Sequence, residues 1–218
     1  MKLSKTRKRH LRPKRHLVLF TRAPRLGQVK RRLARTIGPL LALHFHRGTT
    51  AALLKKLNLD PRFSLWLAVT PDGAGGIERA WPEATHTHVI PQRVSDLGQR
   101  MGRIFRELPP GPVVLIGTDI PELTIGDIQD AFRALADHDA VFGPSPDGGY
   151  WLVGFRRTAS PFYPFRHVRF SSSHALADTL ANLKPSLRIA MVAMREDVDD
   201  EASYRRWKNR GRKKPNVF

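Results

Sequence analysis

The sequence predicts a three-layer α/β/α sandwich built on a mostly parallel sheet. Short apolar runs bounded by turn residues recur along the chain, and stretches of helical periodicity separate them. One run, Pro112-Val-Val-Leu-Ile-Gly117, is apolar at every position between its turn residues, as expected of a strand covered on both faces and lying mid-sheet. Strands that alternate with helices require crossover connections, and these place helices on both sides of the sheet.

In order, residues 16–20 read as a buried first strand closed by Pro24 and Gly27. Residues 29–57 are helical with one break at Gly38-Pro39; Val29, Leu33 and Ile37 share a face before it and Leu53, Leu54 and Leu57 continue after it. Strands follow at 63–69 and 87–90, separated by the Pro71–Gly76 loop. Residues 97–108 form a helix with Leu97, Met101, Ile104, Phe105 and Leu108 inward. After the central strand, Thr124 and Asp127 are spaced as a capping box that opens a helix to about residue 136. Residues 140–143 and 150–155 are strands around a turn-rich segment. Ser171–Ser173 is expected to cap a helix to about residue 183, with a strand at 187–192 and a last helix at 199–208. Tyr204 and Trp207 are placed to pin that helix to the body.

A chain of 218 residues can bury one substantial core. Its longest apolar stretches fall far short of the roughly 20 residues that cross a bilayer, so a soluble, cytoplasmic protein is expected. The absence of cysteine excludes disulfides, thiolate metal sites and a cysteine nucleophile; any metal must sit on oxygen or imidazole. The net charge is +19, but residues 1–16 hold eight Lys/Arg and residues 205–218 hold seven, with no acid in either segment. Like-charged runs of this kind bury little and repel themselves. The expected organisation is therefore a basic tail at 1–15, a folded domain at 16–204 and a second basic tail at 205–218, ordered in part at its start. The tails are candidates for weak contact with nucleic acid or an anionic surface, or simply solubilise the chain.

Ligands of open α/β sheets bind beyond the carboxyl ends of the strands, which singles out four segments. Residues 20–33 combine Gly27, a helix start and the cations Arg22, Arg25, Lys30, Arg31 and Arg32; this suits a polyphosphate, and equally a solvated basic helix face. In Gly117-Thr-Asp-Ile-Pro121, Asp119 follows the central strand, where a carboxylate can hold Mg²⁺ or Mn²⁺ against a diphosphate. Gly143-Pro-Ser-Pro-Asp-Gly-Gly-Tyr150 is either a hairpin turn or a bare loop lying against an acceptor, with Asp147 as a further acid. Glu196-Asp-Val-Asp-Asp200 is an acidic cluster or the favourable negative start of the last helix. His86 and His88 are expected on one face of a strand as bystanders, His44 and His46 do not face each other, and Trp66 and Trp151 belong to the core.

Together these segments resemble a family of glycosyltransferase-A-superfamily proteins of unassigned role, the radical-SAM/selenodomain-associated transferases, relatives of the molybdenum-cofactor and 2-phospholactate nucleotidyltransferases. That family's pattern runs F-x-K-x-P-x-x-G-x-V-K-T-R-L, D-L-G-x-R-M, G-[ST]-D-x-P-x-L-T, G-P-x-x-D-G-G-Y-[YW]-L-[IV]-G, W-S-T and D-V-D-T. The counterparts here are residues 20–33, Asp96-Leu-Gly-Gln-Arg-Met101, residues 117–124, residues 143–154, Phe170-Ser-Ser172 and Asp197-Val-Asp-Asp200.

The resemblance implies a nucleotide-diphosphosugar-transferase (GT-A) fold and a metal-dependent transferase acting on a nucleotide-activated donor. Glycosyl transfer from a nucleotide sugar is the first expectation, nucleotidyl transfer with release of pyrophosphate the alternative, and a non-catalytic nucleic-acid-binding scaffold the third. It further implies Asp119 and Asp199 as ligands to Mg²⁺ or Mn²⁺, Asp119, Asp147 and Lys30 as catalytic, and Arg22, Gly27, Lys30, Arg32 and Thr118 on the nucleotide phosphates. Asp147, Gly148, Gly149, Tyr150 and Ser171 would face the acceptor. Three positions depart from the pattern: Arg22 stands for Lys, Arg31 for Thr and Phe170 for Trp. Arg22 keeps the charge with a different donor geometry.

Overall fold

A computed structural model describes residues 14–73, 75–157 and 164–212. Its seven strands are β1 (His16–Arg22), β2 (Ser64–Thr70), β3 (His88–Pro91), β4 (Val113–Gly117), β5 (Ala140–Pro144), β6 (Tyr150–Phe155) and β7 (Ile189–Met191). They form one sheet in the order β3-β2-β1-β4-β6-β5-β7, which puts the apolar run of β4 at its centre. Every neighbouring pair is parallel except the two that involve β6, which runs antiparallel to β4 and β5.

The helices are α1 (Arg31–Ile37), α2 (Pro39–Leu57), α3 (Ile77–Ala80), α4 (Leu97–Glu107), α5 (Ile125–Asp137), α6 (Ala175–Ala181) and α7 (Glu201–Arg212). The break between α1 and α2 falls at Gly38, whose φ of 84° ends one helix while Pro39 opens the next. Alternation along the strands divides the core into two layers. Leu17 and Leu19 meet Leu53, Leu54 and Leu57 of α2 and Ile128, Ala131 and Phe132 of α5. Val18 and Leu115 face the other way, onto Met101, Ile104 and Phe105 of α4. Each such side chain, withdrawn from water, contributes about 1.5–3 kcal/mol of gross burial energy. A third cluster of Leu33, Phe45 and Val198 holds Tyr204 and Trp207, so α7 is pinned to α1 and α2 as its aromatic spacing predicts.

Thr124 and Asp127 form the expected capping box, each side chain answering the other's backbone N–H. The serine cap does not form. α6 starts at Ala175 after His174 without a side-chain cap, and Ser172 Oγ instead donates to the Arg169 carbonyl at 2.6 Å. β7 is shorter than the apolar run around it, because Asp139 Oδ2 takes the Arg188 N–H at 2.9 Å just before its first residue. α7 begins two residues later than expected, since Asp200 rather than Asp199 caps it; Asp200 Oδ1 accepts from Ser203 N at 2.9 Å and Ser203 Oγ accepts from Asp200 N at 3.1 Å. The helix runs on through residue 204 to Arg212. His86 lies ahead of β3 rather than on it, and His88 stacks on Trp66 at 4.4 Å; Trp66 is only half-buried, whereas Trp151 is in the core. No helix among the described residues is long and apolar enough to cross a membrane. Residues 1–13 and 213–218, most of the first predicted tail and the end of the second, lie outside the described residues.

Candidate active site

At the carboxyl ends of β1 and β4 the structure converges on Lys30. The chain leaves β1 at Arg22, turns through Gly27 at φ 72° and reaches Lys30, itself left-handed at φ 47°, immediately before α1. Such a backbone is costly for a residue with a side chain, on the order of 1 kcal/mol. Arg31 and Arg32 then point to solvent, while the Lys30 side chain is only 4% exposed. Its Nζ lies 2.9 Å from Asp119 Oδ2 and 2.6 Å from Asp199 Oδ1. Burial disfavours the ammonium, but the two carboxylates outweigh it and hold the Lys30 pKa above the ordinary lysine value.

The acids come from distant parts of the chain and are tied together by backbone. Asp119 stands two residues beyond β4, and its carbonyl accepts from Val198 N at 2.9 Å. That bond carries the segment after β7 across the end of the sheet. Because Asp200 serves as the helix cap, Asp199 is left outside α7 with its carboxylate free to meet Lys30. The spacing of Asp200 to Ser203, three residues on, is what separates the two aspartates.

A cleft of about 850 Å³ opens over this cluster and is also bordered by Arg22, Gly27, Arg32 and Thr118. Arg22 is exposed. Arg32 reaches Asp200 at 3.8 Å, so part of its charge is already answered, and at 70% exposure that pair is weak. Thr118 is buried, with its hydroxyl 3.0 Å from that of Thr21. Three residues given no site role by the sequence, His46, Gln92 and Arg100, also border the cleft. His46 Nε2 donates to the Arg22 carbonyl at 2.8 Å and so pins the start of the loop between β1 and α1. Its pattern in sequence is that of any histidine on a helix.

Burial holds the His46 pKa below its usual 6.5. The neutral ring is the folded form, so the stability it contributes is complete above the unfolded pKa of 6.5 and is lost as pH falls below that value. Urea titrations between about pH 7.5 and pH 5 should therefore show a steeper acid-side loss of stability for the wild type than for His46→Gln. Equal slopes would remove His46 from the account.

A second, smaller cavity of about 260 Å³ adjoins the first and shares Asp119, Asp199 and Ser171 with it. Asp147, Gly149 and Tyr150 border it, so the loop between β5 and β6 does face the same centre as Lys30. Asp147 Oδ1 accepts from Gly149 N at 2.9 Å, which holds the loop in a turn. Gly148 does not line the cavity: with φ at 83°, a Cβ there would lie 2.2 Å from the Ser173 carbonyl, so its role is to let the 171–176 segment dock. Tyr150 donates or accepts with Thr179 at 3.3 Å and burial pushes its phenol up to about 12, which keeps it neutral. Asp197, which the sequence placed in the acidic segment without a site role, sits among these acids; burial first, then Asp199 and Asp147, push its carboxyl up to about 6.

The donor set suits a hard divalent cation shared with a substrate. Asp119 and Asp199 direct oxygens at one point now occupied by a buried ammonium, so the site already favours positive charge there. Among the described residues no three His, Cys, Asp or Glu side chains are grouped to hold a metal alone. One or two carboxylates completed by phosphate oxygens and water are the usual environment of Mg²⁺.

Comparison with other proteins agrees with this fold. A structure from Desulfovibrio desulfuricans G20, provisionally named a nucleotide-diphospho-sugar transferase, shares 26% identity, covers 92% of this chain and 89% of its own, and superimposes with a TM-score of 0.83. The 4-diphosphocytidyl-2C-methyl-D-erythritol synthase of Anaerococcus prevotii DSM 20548 shares the fold at 11% identity and TM-score 0.59, covering 92% and 96% of the two chains. Rv0371c of Mycobacterium tuberculosis H37Rv, in a complex with manganese, does so at 18% identity and TM-score 0.52, covering 88% and 97%. No curated protein matches the chain. A family model described as an uncharacterized protein conserved in bacteria, DUF2064, matches residues 53–172. These matches and the sheet with its site at the β1 and β4 ends lead to one assignment: the chain belongs to the DUF2064 family, within the GT-A-like superfamily of nucleotide-diphosphosugar-transferase folds.

Proposed function

We propose that this protein is a metal-dependent transferase of the radical-SAM/selenodomain-associated kind, which moves a group from a nucleotide-activated donor to an acceptor. The observation that carries the reading is the Lys30 ammonium bracketed by Asp119 and Asp199 on the floor of a cleft otherwise rich in arginine. A sugar nucleotide is the first donor to test and a nucleoside triphosphate the second, since both present the same phosphate charge.

In this reading Arg22, Lys30, Arg32, Gly27 and Thr118 take the donor phosphates, and Asp119 and Asp199 hold Mg²⁺ or Mn²⁺. The metal, when bound, would offset charge developing on the leaving phosphate. Lys30 orients and neutralises phosphate oxygens from inside the cleft, where low solvent access strengthens its field. Asp147, Gly149, Tyr150 and Ser171 form the acceptor side, with the Asp147 carboxylate next to the attacking group. Both cavities meet at Asp119 and Asp199, as a transfer between two substrates requires. Support comes from the D. desulfuricans structure and the manganese complex of the M. tuberculosis protein, each similar in fold. The basic ends at 1–15 and 205–218 are proposed as appendages that contact anionic surfaces, outside the chemistry.

A thermal-shift series of sugar nucleotides and nucleoside triphosphates, each with and without Mn²⁺, tests the reading. A ligand at about 100 times its Kd adds about 2.7 kcal/mol of stability, which at this size raises Tm by several degrees. At least one nucleotide should do so, and more strongly with Mn²⁺. Nucleotides that leave Tm unchanged with and without metal would overturn the proposal.

A further inference from the structure

On the β2–β3 side of the cleft, away from the Lys30 cluster, a second cationic feature is assembled by a buried glutamine. Gln92 is 1% exposed and stands just beyond β3. Its Nε2 donates to the carbonyls of Thr21 and Ala68, both at 2.8 Å, and its own N–H donates to the Val69 carbonyl at 3.0 Å. The amide is thus fixed across the ends of β1 and β2, and its orientation is decided: with nitrogen committed to two carbonyls, the oxygen must face outward. That Oε1 accepts from Arg100 Nη1 at 3.0 Å.

Arg100 extends from α4 into the cleft toward the same opening as Arg22, and both border it. Among the described residues neither guanidinium has a carboxylate within salt-bridge distance. The nearby acid Asp96 uses Oδ1 to cap α4 through Gln99 N at 2.7 Å and accepts from Arg100 Nε through its backbone carbonyl at 3.4 Å; its carboxylate acts on Arg100 through space, more weakly than burial or Arg22. Burial, with the positive charge of Arg22 next, disfavours the charged Arg100 guanidinium. Two guanidiniums facing one cavity without an acid between them favour an anion there, and the fork of five N–H donors on each is shaped for phosphoryl oxygens.

We propose that Arg100 joins Arg22 in a phosphoryl-binding subsite beside the Lys30–Asp119–Asp199 cluster, and that Gln92 is the positioning residue that aims Arg100 at it. The inference rests on the nucleotide reading above for its biological ligand, but not for its test. Because Lys30 is already engaged by two carboxylates, this pair is the principal anion site of the metal-free protein. A donor is then gripped at two points, through phosphate at the acidic cluster and through phosphate at Arg100.

The test uses inorganic pyrophosphate as probe, with calorimetry on the full chain in EDTA. The wild type should bind it, and Arg100→Met should weaken binding at least tenfold. Arg100→Lys should recover only part of that loss, because a point charge replaces a fork. Gln92→Met should weaken binding several-fold, but in an Arg100→Met background it should cost nothing more; a merely structural role for Gln92 would lower affinity in both backgrounds. If Gln92→Met does not fold, the arginine variants, changed at partly exposed positions, still decide the matter. Pyrophosphate affinity unchanged in Arg100→Met, or no binding by the wild type, would overturn the subsite. Failure of the transferase reading is separate: it would appear as metal-insensitive nucleotide binding while the EDTA result stands.

Discussion

Asp119→Ala is expected to abolish the metal-dependent part of nucleotide binding, at least about 100-fold in Kd, or about 2.7 kcal/mol, while the fold is retained. The carboxylate is 38% exposed at the mouth of β4 and supports little packing, so its removal should not disturb the sheet. What it removes is half of the oxygen set that faces Lys30. Lys30→Ala should behave differently: the nucleotide should bind more weakly even in EDTA, since the phosphates lose a buried cation, and Mn²⁺ should still act through the two remaining carboxylates. Calorimetric titrations of both variants with and without Mn²⁺ check the pair of outcomes. Unchanged nucleotide affinity in both would show that the donor binds elsewhere.

The second large effect is expected at the end of α7. Ending the chain after Tyr204 removes Trp207, whose ring meets Phe45 edge-on at 5.2 Å, and strips Glu196 of both Arg206 and Arg210. The cost should be about 2–4 kcal/mol, mostly from the lost aromatic burial, because the two arginines of the ion pairs are exposed and each pair is worth little. The loss should reach the site too, since Val198 joins the cluster under α7 while its N–H holds the Asp119 carbonyl. A chain ending after Arg212 keeps these contacts and should match the full protein. Urea midpoints of the two truncations decide this; equal midpoints would mean that α7 does not brace the acidic segment.

Much of the architecture was legible because burial writes periodicity into the chain. β4 read as central because its run Val113-Val-Leu-Ile116 is apolar on both faces, and it is flanked by β1 and β6. Thr124 and Asp127 were legible because a capping box is local. Ser171–Ser173 misled because a serine hydroxyl serves a turn as readily as a helix start, and the Arg169 carbonyl won. At the site, the motifs located Asp119, Asp199, Lys30 and the Asp147 loop at one sheet edge, and the structure brings those residues to one cluster. What sequence could not carry was pairing over long separations. That Lys30 lies between two aspartates 89 and 169 positions away is a property of the sheet order. Gln92 is legible to no motif, since its function lies in two carbonyls supplied by other strands. Gly148 read as a ligand-facing glycine for the same reason: its close neighbour, Ser173, is invisible until the chain is folded.

The origin of the three charges at the site has a further consequence for partly folded states. Lys30 belongs to the β1 side of the sheet, Asp119 to β4, and Asp199 to the stretch after β7, so no contiguous half of the chain carries more than a fragment of the cluster. Within the sheet the halves join along the β1–β4 ladder, whose paired residues lie nearly a hundred positions apart and whose closure is entropically expensive. An intermediate in which either half is ordered alone therefore holds the cation or the two acids but not the assembled cluster. Any molecule that recognises the assembled cluster draws the population toward the completed sheet and gives nothing to its precursors, so occupancy of the site doubles as a guarantee that the chain has finished folding.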